Sequence, residues 1–373
     1  MNTGSGQRMH VALDASNLAL EAPTGVAVYG THLIREIASL DKENPYTLCY
    51  RLSRWKDRRY FFKVAQPNFR TKIIQEPFDF LFTRKIDLFH GLDARMYDSR
   101  RLKNVVTIHD IPQHSNQYSG TRHPDKKIRR YEAIMARADR IIADSAYTKA
   151  DILRFYSIPE ERIDVVPLGV EGPARPISED EIQAAMMRYG IRAPYLLHVG
   201  RIEKKKNLCR TLEAFAQVRK QLASRARIVL AGTPGPGGEE VFETIERLGL
   251  NEAVRLTGYV REEDLPALYA GAMLFLFPSL YEGYGMPTLE AMACGTPVLT
   301  SNVTSLPEVA GDAAVQVDPL DVESIVQGML RLVEDPQLRE QYIRKGLDRV
   351  KEFTWERTAR ETLAVYRKTL GVA

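Results

Sequence analysis

The segment at residues 277–301 reads F-P-S-L-Y-E-G-Y-G-M-P-T-L-E-A-M-A-C-G-T-P-V-L-T-S and predicts a turn and a short helix between two buried strands, the first at 273–277. Pro287 suits the first position of the helix, and Gly295 suits the position just after its end. Gly285 keeps the turn free of side chains where it enters the helix. Because a helix begins with unpaired N–H groups and the positive end of its dipole, this segment predicts an anion-binding site.

Two carboxylates flank the predicted anion site. Glu282 lies in the turn and Glu290 lies on the helix, with seven residues between them. Because carboxylates accept hydrogen bonds from hydroxyl groups, the segment suits a ligand that is part phosphate and part sugar. The alternative interpretation is an ordinary strand-to-helix connection that carries two surface glutamates.

The composition is typical of a globular protein in a reducing compartment. The 373 residues are 44% hydrophobic and 27% charged, and the chain is long enough for two α/β domains. Three widely separated cysteines (Cys49, Cys209 and Cys294) predict neither a disulfide framework nor a metal site. No apolar run is long enough to span a membrane. Residues 1–8 lack the apolar core of a signal peptide and are expected to form a disordered lead-in, so we expect a cytoplasmic protein.

The positive charge is concentrated in the first half of the chain. Residues 1–170 contain 27 Lys and Arg against 20 Asp and Glu, whereas the remainder contains 25 against 28. Basic and aromatic residues are interleaved in R-L-S-R-W-K-D-R-R-Y-F-F-K at 51–63. Such a surface suits anionic lipid headgroups or nucleic acid. A solvated face with ordinary core aromatics is an equally good interpretation.

Strands and helices alternate along both halves, which predicts doubly wound parallel sheets. The two prolines of E-G-P-A-R-P-I at 171–177 predict a linker. We therefore expect an N-terminal domain at 9–170 and a second domain at 178–353, which opens with the capping box S-E-D-E. The predicted strands lie at 9–16, 46–50, 70–74, 86–90, 105–109, 140–143 and 163–166, and then at 195–199, 227–231, 254–256, 273–277 and 314–317, with one more at the end of the opening segment.

Two cations follow the strand predicted at 195–199. In G-R-I-E-K-K-K-N, Arg201 and Lys206 leave the carboxyl end of that strand, where a doubly wound domain binds its ligand. Together with the predicted helix start they could hold a diphosphate without a metal. The alternative is a solvated charge run, to which Lys204 and Lys205 could also belong. The sequence contains no Asp-x-Asp, no Cys/His cluster and no G-x-G-x-x-G, so we expect neither a metal nor a dinucleotide cofactor.

Smaller signals lie at other strand and helix ends. T-I-H-D at 107–110 places His109 and an aspartate directly after a strand. T-G-Y-V places Tyr259 and Val260 at a strand-end turn, where an aromatic ring and backbone groups could contact a base. T-G-V-A-V-Y places Gly25 at a helix start. Each of these signals alone is also compatible with a purely structural role.

Taken together, these motifs resemble family 4 of the retaining GT-B glycosyltransferases. The motifs occur in the order found in that family and cover nearly the whole chain after the lead-in. The resemblance implies two Rossmann-like domains with a cleft between them and a C-terminal helix, within 354–373, that crosses back onto the N-terminal domain. The chain departs from the family pattern in two places. Three lysines replace a frequent Pro-Arg-Lys, which leaves open which lysine meets the phosphate, and Gly25 stands alone where many relatives have two glycines.

The resemblance also implies a role for each motif residue. Glu290 would bind the ribose of the donor, and Glu282 would contact the hydroxyl groups of the transferred sugar. Arg201 and Lys206 would bind the diphosphate, and His109 would contact the sugar from the N-terminal domain. The other expected donor contacts are the backbone of Tyr284, Gly285 and Met286, the base-flanking Tyr259 and Val260, and Gly25 in the acceptor-side loop.

Within the family, the chain looks most like bacterial mannosyltransferases that extend surface polysaccharides such as the lipopolysaccharide O-antigen. The resemblance therefore implies a metal-independent, retaining transfer of mannose from GDP-mannose. The acceptor would be a glycan or lipid-linked glycan at the inner face of the cytoplasmic membrane, with peripheral membrane contact and no nucleic acid partner. The alternatives are a UDP-sugar donor, a nucleotide-sugar epimerase or phosphorylase that reuses these pockets, and a nucleotide-binding scaffold without activity.

Overall fold

The computed structural model describes residues 8–20, 24–75, 83–99, 101–111, 124–221 and 226–372, and the chain divides into two units. The first unit extends to Gly169 and is completed by the chain from Thr354 onward, whereas the second extends from Val170 to Phe353. The predicted linker at 171–177 therefore lies at the start of the second unit. Residues 1–7 of the predicted lead-in lie outside the described residues.

The first unit is built on a seven-stranded parallel sheet. Its strands are β1 (Val11–Asp14), β2 (Tyr46–Arg51), β3 (Phe69–Ile74), β4 (Leu88–Gly91), β5 (Lys103–Ile108), β6 (Arg140–Ala143) and β7 (Ile163–Val165). Their order in the sheet is β3-β2-β1-β4-β5-β6-β7. The order reverses between β1 and β4, and doubly wound sheets bind ligands at the carboxyl edge near such a reversal.

The second unit repeats this plan with a six-stranded parallel sheet. Its strands are β8 (Tyr195–Val199), β9 (Arg227–Ala231), β10 (Val254–Gly258), β11 (Leu274–Phe277), β12 (Val298–Ser301) and β13 (Val315–Val317). Their order is β10-β9-β8-β11-β12-β13, so the reversal lies between β8 and β11. Both parallel sheets confirm the predicted α/β class.

α-Helices connect most successive strands, although β2 and β3 are joined through a 3-10 helix and the described residues between β4 and β5 form no helix. They are α1 (Gly25–Leu40), α2 (Pro124–Arg137), α3 (Ala146–Phe155), α4 (Glu179–Tyr189), α5 (Leu208–Gln221), α6 (Glu239–Arg247), α7 (Leu265–Ala270), α8 (Met286–Ala293), α9 (Leu306–Ala310), α10 (Val322–Glu334), α11 (Pro336–Arg349) and α12 (Trp355–Leu370). The predicted capping box opens α4, because Ser178 Oγ accepts from the Glu181 N–H and the Glu181 carboxylate accepts from the Ser178 N–H. Within the described ranges, no helix is both long and apolar enough to cross a bilayer.

The last helix belongs to the first unit, as predicted. Tyr366 of α12 is fully buried, and its hydroxyl hydrogen-bonds to Nδ1 of His90 in β4 over 2.6 Å. His90 Nε2 lies 2.8 Å from Thr107 Oγ1, and Thr107 also bonds the Tyr29 hydroxyl of α1 over 3.0 Å. Because unpaired buried polar groups are costly, this chain of partners fixes α12 against β4, β5 and α1.

Apolar strands form the core of each unit. In the second unit, L-F-L-F of β11 is fully buried, as expected for a central parallel strand that is covered on both faces. Around it, buried leucines, valines and isoleucines from the flanking strands and from α5 and α10 make one cluster. A rigid centre of this kind holds the loops at the carboxyl ends of β8 and β11 in place.

Several short elements were not predicted from the sequence, among them three that bear on the rest of the structure. Leu52–Tyr60 and Lys204–Lys206 form 3-10 helices, and α9 occupies the S-L-P-E-V-A-G segment. The first 3-10 helix contains no buried residue, so its basic and aromatic side chains lie on the surface of the first unit.

Candidate functional site

The loops that follow β8 and β11 are joined by hydrogen bonds. Asn207, which ends the Lys204–Lys206 turn in a left-handed conformation with a φ of 59°, donates from Nδ2 to the carbonyls of Pro278 and Pro319. The Leu280 N–H donates to the Lys205 carbonyl over 2.8 Å. These bonds hold the lysine-rich loop against the glycine-rich one at the carboxyl edge of the second sheet.

Lys206 and Glu282 form a buried ion pair between these loops. Lys206 Nζ donates to Glu282 Oε1 over 2.6 Å, and the residues are only 8% and 7% exposed. The ammonium also lies 4.7 Å from the centre of the Phe277 ring. Burial favours a higher pKa for Glu282, but the charges of Lys206 and Lys205 outweigh it and lower that pKa. Glu282 is therefore an ionised acceptor at neutral pH.

Arg201 occupies a different environment from Lys206. Its side chain is exposed, and no carboxylate in the described part of the chain pairs with it. Ile202 pairs with Pro234 in an isolated bridge, which brings the 232–238 loop alongside. A side chain at Gly235 would begin 3.3 Å from Arg201 Nε, so this glycine leaves room beside the guanidinium. Arg201 thus offers an unneutralised fork of donors at the end of β8.

The start of α8 confirms the predicted glycine turn. Gly285 is the N-cap residue with a φ of 100°, and a Cβ there would lie 2.5 Å from Leu306 Cδ2. No side chain caps the helix, and Pro287 occupies its second position rather than the predicted first. Ser305 Oγ donates to the carbonyls of Glu282 and Tyr284, which fixes the turn. Pro287 has no N–H and the Thr288 N–H donates to the Gly285 carbonyl, so the Met286 N–H is the donor that the start of α8 offers to an anion.

Glu290 lies on the same helix and is held by Tyr269 of α7. The Tyr269 hydroxyl donates to Glu290 Oε2 over 2.9 Å, and Tyr269 is 1% exposed. Burial raises the pKa of Glu290, although the bond from Tyr269 opposes the shift. The carboxylate therefore has a fixed orientation before any ligand arrives, which suits the recognition of hydroxyl groups.

The residues predicted beside a base differ in exposure. Tyr259 follows β10 and is 47% exposed, whereas Val260 is buried. Gly258 at the end of β10 has a φ of 69°, which turns the chain outward at this point. Tyr284 is buried, and its ring packs against Phe353 edge to face, so only its backbone could serve a ligand.

His109 lies in the first unit, directly after β5. Its Nδ1 donates to Asp144 Oδ2 over 2.6 Å and its Nε2 donates to the Leu92 carbonyl over 2.8 Å. Burial favours a lower pKa, but the Asp144 carboxylate outweighs it and raises the pKa of His109 to about 9. Two N–H donors and this pKa indicate an imidazolium. The Tyr29 and His109 rings pack edge to face with their centres 5.0 Å apart, and Gly25 begins the same helix as Tyr29.

Four supporting residues were missed in the sequence: Asn207, Tyr269, Ser305 and Asp144. The side chain of each one hydrogen-bonds to a predicted site residue, or to the loop that carries one, and the two bonded residues lie far apart in the sequence. Asp144 alone had a signal, because it directly follows β6 at the same sheet edge as His109. Across the described ranges, no three His, Cys, Asp or Glu side chains converge as metal ligands would.

Comparison with known proteins identifies the family. Profiles described as "Glycosyl transferases group 1" and "Glycosyltransferase Family 4" match residues 189–349 and 25–171. O-antigen chain mannosyltransferase B of Escherichia coli is 34% identical over 287 residues, which make up 75% of this chain and 74% of that protein. The chain belongs to glycosyltransferase family 4.

Two further relatives extend this finding. Serotype-specific mannosyltransferase WbdA of Escherichia coli is 32% identical over 263 residues. The match covers 69% of the present chain but only 32% of WbdA. Among solved structures, sucrose-phosphate synthase of Thermosynechococcus elongatus superimposes with a TM-score of 0.78, 21% identity and coverage of 98% and 100% of the two chains. That likeness concerns the fold alone and confirms the GT-B architecture.

Proposed function

We propose that this glycosyltransferase transfers mannose from GDP-mannose to a growing surface glycan, with retention of the anomeric configuration. The names of the two Escherichia coli relatives support mannose and a polysaccharide product. The observation that carries the proposal is the buried Lys206–Glu282 pair beside the uncapped start of α8, with Glu290 on the same helix. Such a site offers positive charge to a diphosphate and two carboxylates to sugar hydroxyls.

The proposed chemistry depends on charge at the leaving group. As the bond to the anomeric carbon breaks, negative charge develops on the diphosphate, and fixed donors that face this charge lower the barrier. Arg201 would supply the exposed guanidinium, Lys206 the buried ammonium, and the start of α8 the Met286 N–H. Glu282 and Glu290 would bind the sugar and the ribose. The remaining proposed donor contacts are the backbone of Tyr284, Gly285 and Met286, together with Tyr259, Val260 and Gly25.

Retention restricts the geometry of attack. A double displacement would need a carboxylate beneath the anomeric carbon, and we assign no residue to that role. We favour front-face substitution, in which the leaving phosphate oxygen accepts the proton of the acceptor hydroxyl. His109 would contact the transferred sugar only through the N–H that it now donates to the Leu92 carbonyl.

A donor screen tests the proposal. Wild-type protein and Glu290→Gln should be heated with GDP-mannose, GDP, UDP-glucose and UDP, and each sugar nucleotide should be assayed for hydrolysis and transfer. We expect GDP and GDP-mannose to raise the melting temperature of the wild type and to do so less in the variant. Stabilisation and turnover by a UDP-sugar alone would overturn the donor assignment, and epimerised or phosphorolysed product would overturn the reaction.

We further propose that no divalent metal takes part, because Arg201, Lys206 and the α8 start supply the counter-charge. Transfer should proceed at the same rate after dialysis against a chelator. Activity that is lost in chelator and restored by magnesium or manganese would refute this point.

We also propose peripheral contact with an anionic membrane on its cytoplasmic face, through the 3-10 helix at Leu52–Tyr60. Trp55 is 51% and Leu52 45% exposed, and the guanidinium of Arg58 lies 5.1 Å from the Trp55 ring centre. Exposed aromatic rings among basic residues suit a lipid interface, where each basic residue contributes about 1 kcal/mol. The other basic residues of this segment are Arg54, Lys56 and Arg59.

Vesicle co-sedimentation tests the membrane contact. Phe155 offers a matched control, because it is also exposed, lies in the same unit and has Arg154 against its ring. Trp55→Ser should weaken binding to phosphatidylglycerol vesicles, whereas Phe155→Ser should not. Neutralising Arg54, Lys56, Arg58 and Arg59 together should abolish binding at low salt. Equal effects of the two serine variants, or no effect of the neutralised segment, would refute the contact.

A further inference from the structure

A second basic pocket lies in the first unit, away from the residues discussed so far. It is a cavity of about 320 Å³ between the last turns of α1 and the chain that leads into β3. This volume is at the lower end of the range of roughly 300–1,000 Å³ for small-molecule sites. The polar and aromatic side chains that line it are Arg35, Ser39, Lys42, Phe62, Lys63 and Gln66.

The pocket lies at the opposite end of the sheet from His109. Gly25 begins α1 after the carboxyl end of β1, and α1 returns so that Lys42 precedes the amino end of β2. His109 instead follows the carboxyl end of β5. The cavity is therefore separate from the edge of the sheet at which we expect the acceptor.

The charge in this pocket is not neutralised. Arg35, Lys42 and Lys63 all line it, and within the described residues none of the three forms an ion pair. The acidic residues next to these cations in sequence, Glu36, Asp41 and Glu43, do not line the pocket, and the side chain of Asp41 is already bonded. Its carboxylate accepts from the Tyr46 hydroxyl, from two backbone N–H groups and from the side chain of Asn44. Like charges in a concave surface repel one another and raise the local concentration of anions.

The donors are partly oriented. The Arg35 guanidinium stacks over the Phe62 ring at 5.5 Å, which leaves its edge N–H groups free to form a fork with oxygens. Lys42 Nζ donates to the Ala38 carbonyl and so is held at the helix end with other N–H groups to spare. Ser39 and Gln66 add a hydroxyl and an amide. A neighbouring cavity of about 230 Å³ shares Lys63 and adds Arg70, so the positive surface continues.

We propose that this pocket binds phosphate groups, as a second anion site that is distinct from the donor site. A planar guanidinium and two ammonium groups without carboxylates match the charge and geometry of a phosphate or diphosphate. A neighbouring cavity of about 490 Å³ shows the contrast, since it shares Lys42 but is also lined by Asp41 and Glu43. Its mixed charge does not favour an anion in the same way.

Equilibrium dialysis with labelled pyrophosphate tests the site. The variants are Arg35→Ala/Lys63→Ala and a control, Arg129→Ala/Arg154→Ala, which removes the same charge from exposed positions of α2 and α3. We expect the first variant to bind one fewer pyrophosphate per chain than the wild type, or to bind it at least about tenfold more weakly. The control should match the wild type. Unchanged binding in the first variant, or equal loss in the control, would overturn the proposal.

Two further arms separate this site from the donor site and identify the source of the phosphate. Arg201→Ala should lose the pyrophosphate bound at the donor site but should still bind pyrophosphate in the second pocket. Arg35→Ala/Lys63→Ala should show the reverse. A failure of one proposed site is therefore distinguishable from a failure of the other. Phosphatidic acid vesicles and mannose 1-phosphate are then used as competitors. Competition by vesicles alone assigns a lipid headgroup, and competition by the sugar phosphate assigns a soluble ligand. Both results uphold the pocket, whereas an Arg201→Ala protein that binds no pyrophosphate overturns it.

Discussion

Replacing Lys206 with methionine tests the buried ion pair most directly. The substitution keeps a side chain of similar length and removes the ammonium that donates to Glu282 over 2.6 Å. Breaking a buried pair by removing one partner typically costs about 3–5 kcal/mol, because the remaining charge is left without compensation. Lys205 is still near enough to lower the pKa of Glu282, so we expect the lower end of this range, about 3 kcal/mol.

A double-mutant cycle separates the free energy of the Lys206–Glu282 ion pair from the effect of the altered side-chain volume. In Lys206→Met/Glu282→Gln neither charge remains, so the free energy of unfolding of the second unit should return to within about 1 kcal/mol of the wild type. The two substitutions should therefore be non-additive by at least about 2 kcal/mol, and by more if Glu282→Gln alone is also costly. The cost of Lys206→Met alone should also shrink as the pH falls, because protonation removes the unpaired charge of Glu282.

The assay must resolve the two units. Trp55 and Trp355 are the only tryptophans, and both belong to the first unit, so tryptophan fluorescence in urea reports on that unit. Hydrogen exchange of β8 and β11 reports on the second. Lys206→Met should speed exchange in these strands and leave the fluorescence transition unchanged. Wild-type protection of β8 and β11 in Lys206→Met, or additive effects in the double variant, would refute the reasoning.

Three other predictions concern single side chains. Arg201→Ala should slow transfer about a hundredfold or more without speeding hydrogen exchange in β8 and β11, because the side chain is exposed and its proposed contact is with the leaving group alone; near-normal turnover would move the diphosphate elsewhere. Glu290→Gln should mainly weaken donor binding and Glu282→Gln should mainly lower single-turnover rates, and reversed effects would exchange the two roles. The pKa of His109 is raised from 6.5 to about 9, so its contribution to stability is complete below the lower value and is lost as the pH rises through the higher one. Asp144→Asn should abolish this alkaline loss in fluorescence-monitored urea curves, and a slope that persists would refute the pairing.

The central strands were predictable because they are short, apolar and bounded by glycine, proline or charge. L-F-L-F before a proline and I-V-L-A before a glycine have no polar face, and only a strand covered on both sides of a parallel sheet accommodates such runs. The 3-10 helix at Leu52–Tyr60 could not be found in this way. It buries nothing, so no hydrophobic period marks it.

The supporting shell of the site was not predictable, because its contacts join residues far apart in the chain. Tyr269 reaches Glu290 from 21 positions away, and Asn207 reaches the Pro319 carbonyl from 112 positions away. A sequence pattern records local periodicity, and neither spacing belongs to any helical or strand period. Their roles follow only once the carboxyl ends of the strands are placed side by side.

The three lysines at 204–206 also show that a local sequence pattern cannot reveal which side chains a distant contact will bury. Successive side chains on a 3-10 helix point about 120° apart, so Lys204, Lys205 and Lys206 cannot all face the same way. The side chain of Lys204 is 55% exposed and that of Lys205 is 19% exposed, whereas that of Lys206 is 11% exposed and meets Glu282. The triplet predicts that one lysine turns inward, but the phase of the turn is set by Asn207 and its distant carbonyl partners.

The burial of Lys206 distinguishes it from Arg201, although both appear in the sequence as cations that follow the same strand. Arg201 can meet a phosphate without giving up any partner, whereas Lys206 must share its ammonium with Glu282 or leave that carboxylate buried and unpaired. A change at Arg201 therefore alters the charge offered to the ligand alone. A change at Lys206 alters that charge, the ionisation of Glu282 and the stability of the loop at once. We therefore expect Arg201→Ala to leave the fold intact and Lys206→Ala to destabilise the second unit.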